Sequence, residues 1–294
     1  MANRATSKAQ SAMEYLMTYG WAILIIAVVL GALFQLGVFN AGTFAPKAPP
    51  GACQVFRPNG PTSTSFINLE GVCNGELPQY VANFADTGEI NVNGFSSAMS
   101  NVPLTITGWV LPQNDPSHYS GYFGIRSTDN NFYILQLQST NKLECRFVNS
   151  GGTTYTTEGP PVVTPGVWNF VALTYDPSTG YLTCYDDETP TTITGASGYI
   201  SNSIMPFGIG WDGCCNGVNG ELADIQVYNA SLSANEIQAL YLEGIGGVPI
   251  SLQSLTGWWP LNGNANDYSG NNNNGVSGSG VTYTNQWSSG YTPP

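Results

Sequence analysis

The sequence predicts a mainly β chain: a long hydrophobic α-helix near the N-terminus, then a β-sandwich of jelly-roll type. Three observations carry this. No charged residue occurs from Tyr15 to Pro46. After Gly51, short runs rich in Val, Ile, Tyr, Phe and Thr alternate with Gly, Asn, Asp and Pro, the texture of strands and turns. The hydrophobic fraction is 42%, enough for a real core and too much for a disordered polar chain.

The first element runs from Gln10 to Asn40. It would extend about 45 Å as a helix, longer than the ~20 residues that span a bilayer need. Its apolar residues, among them Trp21, Ile23, Ile26, Val29, Leu33 and Phe34, fall on every face. Such a helix is buried in lipid or among other helices. Residues 1–9 carry Arg4 and Lys8 and no acid, which places the N-terminus on the cytoplasmic side. Residues 41–51, with Pro46, Pro49 and Pro50, break the helix and read as a linker. Residues 52–294 form the head.

Within the head, candidate strands are YVANFAD, EINVNG, PLTITGWVLP, YFGIRS, NFYILQLQS, KLECRFV, TTYTTE, WNFVALTYD, YLTCYD, FGIGW, ELADIQVYN, GWWPL and VTYT. Two packed sheets accommodate that number. One helix is expected at SANEIQALYLEG, with Ser233 as N-cap and Glu236 at the capping-box position.

Composition limits function. Lys and Arg total 7 against 19 Asp and Glu, a net charge of −12, which excludes a nucleic-acid-binding surface. With the single histidine His118, a His-rich metal centre is also excluded. Six cysteines, Cys53, Cys73, Cys145, Cys184, Cys214 and Cys215, show no zinc-site spacing and suit disulfides in an oxidising compartment. Six cysteines allow fifteen pairings. Cys53–Cys73 is a local closure, Cys145 and Cys184 could bridge two strands, and adjacent Cys214 and Cys215 could form a vicinal bond.

Catalysis finds little support. Glycoside hydrolysis needs two carboxylates aimed at one sugar. Asp186, Asp187 and Glu188 are consecutive and read as a solvated hairpin end. Glu221 and Asp224 are three apart, so on a regular strand they leave opposite faces. No enzyme activity and no required cofactor are expected. Calcium is an optional ligand: Asn264 and Asp267, with Asp224 if the tail docks beside it, offer the oxygens it favours, though Asn, Asp and Gly also simply make turns. Two loops combine aromatic faces with polar groups that suit sugars: Trp211, Asp212, Asn216 and Asn219 in one, His118, Tyr119 and Tyr122 in the other, though the favoured reading is that Trp211 packs in the core and the rest form turns. Asn229-Ala230-Ser231 is an N-glycosylation sequon.

Two resemblances follow from these residues. KAQSAMEYL, with Gln10, Ser11, Glu14 and Tyr15 ahead of the apolar run, resembles the class III signal peptide of archaeal type IV pilin-like subunits. The resemblance implies cleavage between Ala9 and Gln10 by a prepilin-type signal peptidase, with the helix retained. Glu14 then serves assembly, its carboxylate offset by the new α-amino group of a neighbouring copy. LTITGWVLP, GVWNFVALTYDPSTGYLTCYDD and GELADIQVYNASLSANEIQALY resemble, in that order, the laminin-G-like, concanavalin A-like jelly roll. GWWPLNGNANDYSGNNNNGVSGSGVTYT, residues 257–284, resembles that family's opening strands yet comes last. This implies a circular permutation in which the tail completes its own sandwich, or else a neighbour's sheet. The function expected is a structural subunit of a pilus-like surface filament. Its partners would be copies of itself, the membrane before assembly, and surface glycans. The alternative is a membrane-anchored, lectin-like glycan-binding protein that does not polymerise.

Overall fold

The computed structural model describes residues 19–30, 55–56, 67–68, 77–85, 87–113, 119–126, 131–137, 140–200, 205–211, 216–288, 291–292 and 294. The chain divides into two units, Met1–Lys47 and Ala48–Pro294. In the first, residues 19–30 are helical (α1). Their apolar side chains are exposed all round, Trp21 at 67% and Val28 at 63%. The remainder of the helix expected over 10–40, together with Ala9, Gln10 and Glu14, lies outside the described residues. Among the described residues, no helix is long and apolar enough to cross a membrane.

The second unit is a sandwich of antiparallel sheets. β1 (Val55–Phe56) and β2 (Ile67–Asn68) pair in a small separate ladder. Then come β3 (Val81–Phe84), β4 (Ile90–Val92), the short helix α2 (Ser96–Met99), β5 (Leu104–Pro112), β6 (Ser120–Arg126) and β7 (Asn131–Gln136). β8 (Lys142–Val148), β9 (Thr154–Val162), β10 (Asn169–Asp176), β11 (Tyr181–Asp186) and β12 (Thr189–Ile193) follow. The chain continues with β13 (Phe207–Ile209), β14 (Asn216–Gly217), β15 (Gly220–Tyr228) and helix α3 (Ala234–Glu243). It closes with β16 (Leu255–Trp259), β17 (Val276–Ser277) and β18 (Val281–Thr284).

The first sheet has the order β12-β11-β10-β5-β15-β3-β18, with β16 also on β15. The second has the order β17-β4-β13-β6-β7-β8-β9, with β14 beside β6. The tail therefore pairs within its own chain: β16 on β15, β17 on β4 and β18 on β3. The near half of β15, Gly220–Leu222, pairs with β3, and its far half, Ile225–Tyr228, pairs with β16. The thirteen expected strands are present; β12, β14 and β17, with β1 and β2, were not expected.

Strand alternation divides the apolar residues between two cores. Ile106, Phe123, Ile134, Leu173, Ile225 and Trp259 fill the space between the sheets. Trp109, Phe170, Ala223, Ile237, Leu240 and Trp258 form a second cluster that includes residues of α3. Adjacent Trp258 and Trp259 thus point to opposite faces of one strand. Trp259 packs on Phe95 and Phe207, with ring centroids 5.1 and 5.5 Å away. Cys145 of β8 and Cys184 of β11 form a disulfide that ties the two sheets together. Cys53, Cys73, Cys214 and Cys215 lie outside the described residues.

The expected capping box is present on α3. The Ser233 side chain accepts from the Glu236 amide at 3.4 Å, and Glu236 Oε2 accepts from the Ser233 amide at 2.8 Å. Gly244, at φ 77°, ends the helix in the left-handed region that a Cβ disfavours. Ser233→Ala should cost about 1 kcal/mol, read as a lowered midpoint in thermal unfolding; no change would show that packing of Ile237 and Leu240 alone holds the helix end.

One expectation about the carboxylates is corrected here. Asp186 is not part of a solvated hairpin end: it is 6% exposed, on the face of β11 that also carries Leu182 and Cys184. Asp187 is half-buried and Glu188 is exposed.

Candidate functional site

The site grows from an irregularity in β15. Between Ala223 and Gln226 the register with β5 shifts, and Asp224 takes φ 52°. Asp tolerates this left-handed conformation better than most residues. The Asp224 amide donates to the Pro260 carbonyl at 3.2 Å. The irregularity overturns the expectation that Asp224 and Glu221 leave opposite faces. Leu222 points into the inter-sheet core, so Glu221 points outward, and Asp224 joins Gln226 and Trp258 on that same outer side.

There the Asp224 carboxylate accepts from Trp258 Nε1 at 2.7 Å and from Gln226 Nε2 at 2.9 Å. Tyr228 in turn donates its hydroxyl to Gln226 Oε1. Burial pushes the Asp224 carboxyl up to about 7; its two hydrogen bonds oppose this, and the nearby Glu243 carboxylate adds to it. Trp258 is fixed from two sides, because its backbone amide donates to Asp267 Oδ1 at 3.0 Å. Tyr268 meets the Trp258 ring edge-on at 6.3 Å.

These groups wall a small pocket of about 50 Å³, lined by Leu77, Asp224, Gly246, Trp258, Asn262 and Tyr268 among others. Asn262 Oδ1 accepts from the Tyr80 amide at 2.9 Å. The pocket brings together one carboxylate, one amide and two aromatic rings. Asp224 was foreseen only as a calcium ligand. The role of Trp258 and Asn262 was not foreseen, because the bulge that aligns them leaves no mark in the hydrophobic pattern.

The expected calcium oxygens are engaged elsewhere. Asp267 accepts three backbone amides, from Trp258, Ser269 and Asn273. Asn264 Oδ1 accepts from the Asn266 amide. Both residues make the turn for which Asn and Asp suit. Among the described residues, no cluster of three or more His, Cys, Asp or Glu side chains could hold a metal.

The described ends of the two loops considered for sugar binding meet. Asn216 pairs in parallel with Ser120, which follows Tyr119, and the Gln113 amide donates to the Asn219 carbonyl at 2.8 Å. Tyr119 is exposed, while Trp211 and Asn219 are half-buried. Tyr122, in contrast, is wholly buried and donates to Gln136 Oε1. His118, Asp212 and the side chain of Asn216 lie outside the described residues. Asn229 is exposed just beyond β15, its backbone amide on the Ser254 carbonyl.

Residues 84–238 match the family described as the concanavalin A-like lectin/glucanases superfamily, in its laminin-G type. The chain belongs to this family. The concanavalin A-like match stops short of β16–β18, the strands that the tail adds to both sheets. A candidate carbohydrate binding protein from Bacteroides ovatus ATCC 8483 shares the fold at 18% identity and a TM-score of 0.56, over 75% of this chain and 66% of that one, just under two thirds of its length. A SAP-like pentraxin from Limulus polyphemus matches at 16% identity and a TM-score of 0.47, over 70% of this chain and 94% of that one. The CBM40 of a Ruminococcus gnavus sialidase, solved with α2,3 sialyllactose, matches at 17% identity and 0.42, over 53% of this chain and 95% of that one. The comparison with curated proteins gives no match.

Proposed function

We propose that the concanavalin A-like domain is a non-catalytic, lectin-like glycan-binding module held at the cell surface by the apolar segment that precedes it. The observation that carries this is the Asp224 pocket. Sugars are bound by carboxylates and amides that meet hydroxyls, and by aromatic faces that cover C–H patches. Asp224, Asn262, Trp258 and Tyr268 bring a carboxylate, an amide and two aromatic rings to one pocket, sized for a substituent of a sugar and not for the ring itself. Hydrolysis would require a second carboxylate across the cleft, and Asp224 is the only carboxylate among the pocket's described lining residues. Family membership and the fold shared with the Bacteroides ovatus protein support the same reading. The tail strands β16–β18 would be the family's opening strands moved to the end of the chain.

The test is a glycan array probed with the full chain. Binding of at least one glycan is expected, with Asp224→Asn weakening it at least tenfold. No binding to any glycan would overturn the reading.

A second reading concerns the other unit. Over residues 19–30, apolar side chains are exposed on every face of the helix, which needs lipid or copies of itself around it. If copies of itself surround it, the chain would be a filament subunit, cleaved between Ala9 and Gln10, whose Glu14 pairs with a neighbour's new amino group. Electron microscopy of cells carrying Glu14→Ala should then show no filaments, while the head still folds. Filaments unchanged by that substitution would overturn it.

A further inference from the structure

We propose that the Asp224 pocket receives a primary ammonium group. In the glycan-binding reading, on which this last step rests, that group is the free amine of a de-N-acetylated amino sugar.

The argument begins with charge. The Asp224 side chain is 6% exposed and accepts only from neutral donors. Among the described residues, the groups facing it are Glu243 from α3, Tyr228 from β15 and Tyr291 from the C-terminal tail, and none is a cation. Beyond Arg57 the sequence holds only Arg126, Lys142 and Arg146 as cations. All three belong to β6 and β8 of the opposite sheet. A buried carboxylate left without a counter-charge is costly, and a cation brought by a ligand offsets that cost.

Capacity and size point the same way. A carboxylate can accept about four hydrogen bonds, and Asp224 has taken one on each oxygen. A pocket of about 50 Å³ holds a few water-sized groups, which suits a small charged head and not a whole sugar ring. Trp258 and Tyr268 add rings whose faces attract cations. A calcium ion is a poor fit, since it wants six to eight oxygens and here would meet one carboxylate beside an indole N–H. A sialic acid or uronic acid carboxylate would be repelled.

Calorimetric titration of the full chain at pH 7 tests this with four probes: a glucosamine tetramer, its N-acetylated form, a glucose tetramer, and a lysine peptide with its α-amine blocked. The glucosamine tetramer should bind at least tenfold tighter than the N-acetylated and glucose forms. Asp224→Asn should remove that preference. Leu77→Trp should block the pocket without touching the core, because Leu77 is exposed at the rim. Binding of the lysine peptide alone, lost in both variants, keeps the ammonium site and overturns the glycan reading. Equal binding of acetylated and free amines, or affinities untouched by Asp224→Asn, overturns the ammonium site and leaves glycan binding standing. No binding of either amine at millimolar concentration overturns the proposal.

Discussion

Replacing Asp186 with asparagine should stabilise the β domain by about 4 kcal/mol at pH 8.5 and leave it nearly unchanged at pH 4. Asp186 sits between the sheets, 6% exposed, and its Oδ1 has no hydrogen-bond partner. Tyr122 faces it from β6, and Asp187 follows it in the chain. Neither supplies positive charge. Burial first, and the Asp187 carboxylate second, push its carboxyl from 3.8 to about 7.

The sign follows from proton binding. The folded chain holds this proton more tightly than the unfolded chain, whose carboxyl titrates near 4. Below pH ~4 both states are protonated and the group costs nothing. As pH rises towards ~7 the unfolded state ionises freely while the folded state resists, so stability falls across that window. Above ~7 the penalty is complete, about three pH units at 1.36 kcal/mol each. Asparagine removes it. Thermal unfolding at the two pH values should show a rise of roughly 10 °C at pH 8.5 only. Asp224 titrates over the same window in both proteins and cancels from the comparison. An equal shift at both pH values would mean that shape, not charge, decides the site.

Replacing Cys145 and Cys184 together with alanine should cost a similar amount in the opposite direction. The bond joins residues 39 apart, and closing such a loop in the unfolded chain corresponds to about 4 kcal/mol in the chain-entropy account. The two sulfurs also tie β8 to β11, one strand from each sheet, so the loss falls on the packing of the whole sandwich. Unfolding midpoints should drop by roughly 10 °C. Both cysteines are essentially inaccessible, at 0% and 1% exposed. Mild reductant should therefore leave the native bond intact for hours and cut it quickly once the domain is warmed near its midpoint. A bond that reduces readily in the cold, or a double variant with an unchanged midpoint, would contradict this placement.

The strands were legible because their pattern is local. LTITGWVLP and NFVALTYD carry β-branched and aromatic residues between turn formers, and they become β5 and β10. Ser233 and Glu236 announced the helix cap in the same local way. The pairing of residues 257–284 with β15, β3 and β4 was one of two outcomes left open, since a sequence cannot say whose edge a strand will fill. Asp186 was misread because acidic triplets beside a Thr-Pro turn are usually solvated. Its parity with Leu182 and Cys184 carried the contrary signal. Asp224 was misplaced because face assignment assumes strict alternation, and one left-handed residue in β15 breaks it. The pocket depends on that break, so its membership became visible only in three dimensions.

The late position of β16–β18 has a consequence for synthesis. A ribosome has made most of the head before Trp259 emerges, yet β3, β4 and the far half of β15 each still lack one of their two neighbours. The central hydrophobic layer lacks Trp259 and Leu261 until then. Each sheet thus waits for an edge strand, β18 in one and β17 in the other, and the sandwich locks only once the C-terminal strands have been made.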